Sequence, residues 1–171
     1  MNYKIKLNSI RHFLFDVDGV LTDGTVLING NDYQRTLHSR DSYAIQYACG
    51  LGYSVFLITG GESEHVKNSF ESLGVTAVRL RSRNKLSVFQ ALKEEYQLKA
   101  EECLYMGDDI PDIPVMREVG LATSPFDASI DARSAAEYIS PFCGGKGAVR
   151  DVIEQTLRVQ NKWLLDHAYH W

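Results

Sequence analysis

Short apolar runs punctuate the chain, and each is followed by a stretch whose apolar positions recur at helical spacing. Ile10-Arg11-His12-Phe13-Leu14-Phe15 reads as a first strand ending in Asp16, and Tyr53 to Ile58 as a second ending in Thr59-Gly60-Gly61. Val75 to Leu80 is a third, Cys103 to Met106 a fourth running into Gly107-Asp108-Asp109, and Gly120-Leu121-Ala122 a short fifth. Continuous apolar runs of this length are what parallel strands show when both faces are covered. Between them, Asp41 to Gly50 carries Tyr43, Ala44, Tyr47 and Ala48 on one helical face. Glu62 to Leu73 carries Val66, Phe70 and Leu73, with Gly74 to stop it. Asn84 to Tyr96, Pro111 to Val119 and Ala148 to about His167 complete the helical segments. This β-α-β-α order predicts an α/β fold, a Rossmann-like parallel sheet with helices on both faces and right-handed crossovers. One stretch breaks the order. Thr25 to Ile28, then Asn29-Gly30-Asn31, then Tyr33 to Leu37 reads as a small β-hairpin insertion over about residues 24–38.

The length of 171 residues suits a single domain, and no linker-like tract divides it, so residues 1–171 are expected to form one unit. A C-terminal helix and tail occupy about residues 148–171. With 44% apolar residues and only four prolines the chain does not read as disordered. Eighteen Lys plus Arg against 22 Asp plus Glu leave a formal charge of −4, which argues against nucleic acid as a partner. Cys49, Cys103 and Cys143 are far apart and form no C-x-x-C pair, so neither a zinc site nor a disulfide framework is expected. No apolar run approaches the roughly 20 residues that span a bilayer, and no cleavable leader is evident. The expected compartment is the cytoplasm, with no membrane partner.

In open parallel sheets, ligands bind outside the carboxyl ends of the strands. Here those ends carry Asp16 and Asp18, Thr59-Gly60-Gly61, and Gly107-Asp108-Asp109 with Asp112, while Lys85 opens the helix after the third strand. Carboxylates crowded together repel, and a divalent cation with a preference for hard oxygen ligands, Mg²⁺, removes that cost. Lys85, the Thr59 hydroxyl and the Gly60 N–H together suit a tetrahedral anion such as phosphate. A carboxylate nucleophile with a second carboxyl for proton transfer makes phosphoryl transfer the natural reaction. Each piece alone is weak, since an Asp at a strand end also serves as a turn or cap residue. Their order and shared edge carry the argument.

The set resembles the haloacid dehalogenase-like phosphatase superfamily. Asp16 to Asp23 is similar to its first motif, Thr59 to the second, Lys85 to the third, and Gly107-Asp108-Asp109 with Asp112 to the fourth. The resemblance runs from about Ile10 to Lys162. Within the superfamily the chain is most similar to the 3-deoxy-D-manno-octulosonate 8-phosphate phosphatases. Arg40-Asp41, Asn84-Lys85-Leu86, Pro114-Val115-Met116 and the Gly144 to Asp151 segment carry that likeness. It implies that Asp16 is the nucleophile and that Asp18 serves as acid and then base. Mg²⁺ is then held by Asp16, the Asp18 carbonyl and Asp108, with Asp109 and Asp112 in support. Thr59, Gly60 and Lys85 bind the phosphoryl oxygens, and the pathway is lipopolysaccharide precursor synthesis.

The gaps between the motifs leave no room for a large cap domain, so the resemblance implies a homotetramer whose neighbouring subunit covers the site. The Gly144 to Gly147 segment is then expected to act as a mobile lid, with Arg40, Arg81 and Arg150 as candidates for contact with the sugar-acid phosphate. The chain departs from the usual pattern at Gly61, Ser42 and Leu80-Arg81, which touch substrate-facing loops. Two alternatives follow: the same chemistry on a nine-carbon sugar acid 9-phosphate, or a phospho-accepting receiver-type regulatory domain. Against the receiver stand the order of Lys85 before Asp108-Asp109 and the extra acid, Asp18.

Overall fold

His12–Phe15 (β1) follows a single turn of helix, Tyr3–Lys6 (α1), and is buried at every position after His12 because it runs through the middle of a sheet. The computed structural model describes residues 2–29 and 32–170. Gly30 and Asn31 of the expected hairpin turn, and Trp171, lie outside the described residues. Leu27–Asn29 (β2) and Asp32–Gln34 (β3) pair antiparallel as a separate two-stranded ribbon. There follow Ser39–Gly50 (α2), Ser54–Ile58 (β4), Glu64–Glu71 (α3), Ala77–Arg79 (β5), Lys85–Tyr96 (α4) and Cys103–Met106 (β6). Ile113–Met116 (α5), Leu121–Ser124 (β7), Ile130–Ala135 (α6), Tyr138–Ile139 (β8) and Ala148–Val159 (α7) complete the order.

The six-stranded sheet runs β5-β4-β1-β6-β7-β8, every neighbouring pair parallel. Side chains alternate between its faces. Phe13, Phe15, Val55 and Leu57 pack with Ala44 and Ile45 of α2 and Val149, Val152 and Ile153 of α7. Leu14, Phe56, Ile58 and Tyr105 pack with Phe89 and Leu92 of α4 and Val115 of α5. This is the Rossmann-like α/β arrangement that the pattern predicts. Among the described residues, only the ribbon and α2 lie between β1 and β4 and only α3 between β4 and β5, so no large cap is evident. No helix among the described residues is long and apolar enough to cross a membrane.

The departures from expectation have local causes. The segment from Pro111 to Val119 is a 3₁₀ turn at Ile110–Asp112 followed by α5, because Pro111 and Pro114 fit only first-turn positions and the helix restarts between them. α7 stops at Val159 rather than near His167. Asn161 and Leu164 adopt positive φ, of 56° and 61°, which breaks the helix. The chain then folds back, setting Trp163 4.5 Å under the Arg150 guanidinium and 5.4 Å from the Tyr47 ring.

The Gly144 to Gly147 segment, expected as a lid, is docked in this structure. Gly144 and Gly145 are buried against the loop after β1. The Gly145 N–H donates to the Val20 carbonyl at 2.9 Å and the Gly144 N–H to Asp127 Oδ1 at 2.8 Å. A Cβ on Gly144 would run into the Gly19 carbonyl. The segment is a docked strap, and α2 fastens its far end. Asp41, 1% exposed, accepts the N–H groups of Gly147 at 3.1 Å and Arg150 at 2.7 Å. These are first-turn donors of α7 that have no partner within the helix. Asp41→Ala is therefore expected to lower unfolding free energy by about 1–3 kcal/mol, whereas Arg40→Ala on the exposed neighbour stays within about 0.5 kcal/mol of the parent. Urea unfolding of the two variants checks the contrast.

Candidate active site

The register of β1 sets the level of the site. Phe15 pairs with Leu57 of β4 on one side and Met106 of β6 on the other. Asp16, Thr59 and Gly107 therefore emerge close together from neighbouring strands. The Asp16 N–H still donates to the Met106 carbonyl at 3.0 Å, after which the chain turns tightly as Val20, Leu21 and Thr22 all donate to the Val17 carbonyl. Gly19 lies at φ +88° directly against Asp108, and a side chain there would overlap the Asp108 carboxylate. That close approach, open only to glycine, clasps the β1 loop to the end of β6.

From β4, the Thr59 Oγ1 accepts the Gly61 N–H at 3.0 Å, which leaves its own proton free, and Thr59 lines the pocket. Asn84 caps α4 by accepting the Ser87 N–H at 3.0 Å and so fixes Lys85 as the first helical residue. Lys85 Nζ lies 2.9 Å from Asp16 Oδ1 and 2.6 Å from Asp112 Oδ1. Asp112, 1% exposed, has both oxygens engaged. Oδ1 takes Lys85 and the Tyr105 hydroxyl, each at 2.6 Å, and Oδ2 takes the N–H groups of Asp108 and Asp109 at 3.1 and 3.2 Å. Asp109 itself stands at the exposed rim, heading the 3₁₀ turn.

Oxygens of Asp16, Asp108 and Asp112 lie within 4.8 Å of one another. Burial, reinforced by Asp112, pushes the Asp16 carboxyl up to about 8 against the pull of Lys85, and pushes Asp108 up to about 6. Burial alone would lower Lys85, but Asp16 and Asp112 outweigh it and raise it. Negative charge is thus in excess, with oxygen donors only, which is the environment that suits a hard divalent cation. Because Asp112 is saturated by its four partners, Asp16 and Asp108 are the carboxylates with capacity to ligate.

The pocket has a volume of about 400 Å³, and Asp16, Asp18, Thr59, Lys85 and Asp108 line it together with Gly60, Gly61, Ser82 and Arg83. The structure thus brings together Asp16, Asp18, Thr59, Gly60, Lys85, Asp108, Asp109 and Asp112. It does not bring the three expected arginines there. Arg40 and Arg150 line a separate surface pocket with His38, Lys146 and Arg158, and Arg150 is engaged by Glu154 at 2.7 Å. Arg81 is exposed beside Glu62 at 3.5 Å, and Arg83 rather than Arg81 lines the pocket. Sequence reasoning also missed Arg35 of the hairpin, whose Nε and Nη2 meet the two Asp18 oxygens at 2.6 and 3.0 Å. Nothing local in the sequence marks that pairing, because a turn and a ribbon separate the two residues.

No family model matches the chain. It is 37% identical over 164 residues to the 3-deoxy-D-manno-octulosonate 8-phosphate phosphatase KdsC of Escherichia coli strain K12, covering 95% of this chain and 86% of that one. The crystal structure of the phosphatase of that name from Yersinia pestis superposes with a TM-score of 0.91 at 31% identity, over 94% of this chain and 88% of that one. The Moraxella catarrhalis phosphatase, solved in complex with magnesium ion, phosphate ion and KDO, also gives a TM-score of 0.91 at 31% identity, over 95% of each chain.

Asp112→Ala leaves a buried lysine, a buried tyrosine and two N–H groups without their acceptor, and is expected to cost about 3–5 kcal/mol of stability. Asp109→Ala removes only a cap-like contact worth roughly 1 kcal/mol. Denaturant midpoints of both variants measure the difference, and equal losses would deny Asp112 its place as hub.

Proposed function

The chain belongs to the 3-deoxy-D-manno-octulosonate 8-phosphate phosphatases of the haloacid dehalogenase-like superfamily, and from that footing we propose that it hydrolyses this sugar-acid phosphate with Mg²⁺ through an aspartyl-phosphate on Asp16. The observation that carries the reading is the convergence of Asp16, Asp18, Thr59, Lys85 and Asp108 on one pocket at the carboxyl edge of the sheet.

Asp16 Oδ attacks phosphorus in line while the bond from phosphorus to the sugar oxygen breaks. Asp18 gives its proton to that oxygen and becomes a carboxylate. In the second half Asp18 takes a proton from water, the resulting hydroxide attacks phosphorus, and Asp16 is released as a carboxylate with inorganic phosphate. Lys85, the Thr59 hydroxyl and the Gly60 N–H face the transferred group and meet the charge on its oxygens. Asp16, Asp108 and the Asp18 carbonyl would hold Mg²⁺. When bound it supplies Lewis-acid charge neutralisation and draws the raised carboxylates back to their anionic forms.

The reading extends to assembly. With no large cap, the pocket is open to water, and the ribbon presents Leu27, Ile28 and Tyr33 more than half exposed. Both features support a homotetramer in which a neighbouring subunit covers the site. The proposed setting is the cytoplasm, and the proposed pathway is lipopolysaccharide precursor synthesis.

Phosphate release from a panel of sugar phosphates, with Mg²⁺ and with chelator, tests the assignment. The expected result is turnover of 3-deoxy-D-manno-octulosonate 8-phosphate that is lost with chelator and in Asp16→Asn. Undiminished release by Asp16→Asn would remove the covalent mechanism, and preference for a nine-carbon sugar acid 9-phosphate would move the substrate. Asp108→Ala is expected either to abolish turnover or to shift its Mg²⁺ dependence to higher concentration. An unchanged Mg²⁺ titration would place the ligand elsewhere.

A further inference from the structure

Asp16 and Asp18 are nearly adjacent in sequence, yet each is met by its own cation from a different element. Lys85 comes to Asp16 from the start of α4, and Arg35 comes to Asp18 from just beyond β3. Leu27, Ile28, Asn29, Tyr33 and Gln34 of the ribbon are exposed, but the Arg35 side chain folds inward and is only 10% exposed. Its fork meets the carboxylate edge-on, Nε to Oδ1 at 2.6 Å and Nη2 to Oδ2 at 3.0 Å, and Nη1 donates to the Tyr33 carbonyl at 3.2 Å. Two parallel bonds to one carboxylate fix its plane as well as its position, and the third ties the fork to the hairpin backbone. On the far side lies Gly61, where even a Cβ would come 3.5 Å from Nη2 and 3.7 Å from Asp18 Oδ2. The fork is therefore seated between the hairpin, the β1 loop and the β4 turn.

We propose that Arg35 is the positioning residue for proton transfer. It fixes the plane of the Asp18 carboxyl through one lone pair on each oxygen, which leaves the outer lone pair of an oxygen to carry the proton to the leaving group, and it makes that step depend on where the hairpin sits. The inference rests on the acid role of Asp18 in the function proposed above. Without the fork, Asp18, 32% exposed, keeps only a long 3.5 Å contact from the Thr22 hydroxyl among the described side-chain hydrogen bonds, so its rotamer is free. Small misplacements of a catalytic group carry large rate penalties. The consequence is selective, because only a leaving group that must be protonated feels the loss.

The test compares kcat/KM on 3-deoxy-D-manno-octulosonate 8-phosphate, whose alkoxide needs a proton, with that on 4-nitrophenyl phosphate, whose phenolate departs without one. This ratio covers steps only up to leaving-group departure, so hydrolysis of the phosphoenzyme does not enter it. Arg35→Ala is expected to lose about 100-fold on the sugar phosphate and less than about threefold on the aryl ester. Retained aryl activity also shows that the variant folds. Arg35→Lys, a point charge without a fork, falls between parent and Arg35→Ala. Asp18→Asn shows the same bias between substrates, and the double variant is no worse than Asp18→Asn alone. Equal losses on the two substrates, or additive losses in the double variant, would make Arg35 a substrate contact or a fold contact and overturn the proposal alone. Absence of bias in Asp18→Asn would instead overturn the acid role itself and the proposal with it.

Discussion

A buried lysine held between two aspartates is the interaction on which the rest of this structure depends. Lys85 touches Asp16 at the end of β1 and Asp112 in the turn after β6, and all three side chains are nearly inaccessible to water. Stripping water from such ions is costly, and the cost is met only where every remaining donor and acceptor is satisfied. Here that condition is met by the Tyr105 hydroxyl and by the N–H groups of Asp108 and Asp109, which converge on Asp112. The network thus does more than neutralise charge. It fixes the turn that carries Asp108 relative to the strand that carries Asp16, and so sets the separation of the two carboxylates that face the pocket.

The sheet topology supplies the frame for that network. β1 lies between β4 and β6, so the loops after these strands open onto the same edge, the place where open parallel sheets bind ligands. Two close backbone approaches then lock the loops. Gly19 sits against Asp108, and the strap at Gly144 and Gly145 sits against Gly19, Val20 and Thr22. Asp41 anchors the strap through α7. The β1 loop is consequently held from the side of β6 and from the C-terminal helix, while its open side faces the hairpin. That leaves the hairpin, through Arg35, as the element whose position bears on Asp18.

Much of this is legible in the sequence. Strands buried on both faces declare themselves as apolar runs, so β1, β4, β5, β6 and β7 were found, with Cys103–Met106 correct to the residue. β8 and α6 were missed because two and six residues are too short to show a period. The hairpin strands are shorter than expected, and its turn lies outside the described residues. Asp16, Asp18, Thr59, Lys85 and Asp108 could be placed on one edge because strand ends and order suffice for that. Spacing alone could not separate Asp109 from Asp112, since both follow the same strand. Only the buried contacts make one the hub and leave the other at the rim. The arginine candidates lie away from this chain's pocket for a related reason, because a surface arginine carries no periodic signal and its direction is set by partners such as Glu154 and Glu62 that lie in other turns.

The central claim is that Asp16, raised by burial and steadied by Lys85, takes the phosphoryl group onto its own carboxylate. Its most direct measurement is acid quenching of the enzyme during turnover, followed by peptide mass mapping. The account predicts one added phosphoryl mass on the peptide that contains Asp16, absent from Asp16→Asn and, with 4-nitrophenyl phosphate, accumulating in Asp18→Asn, which needs no acid to form the phosphoenzyme from that ester but lacks the base to hydrolyse it. Turnover with no phosphorylated peptide at any quench time, or the label on another residue, would contradict it.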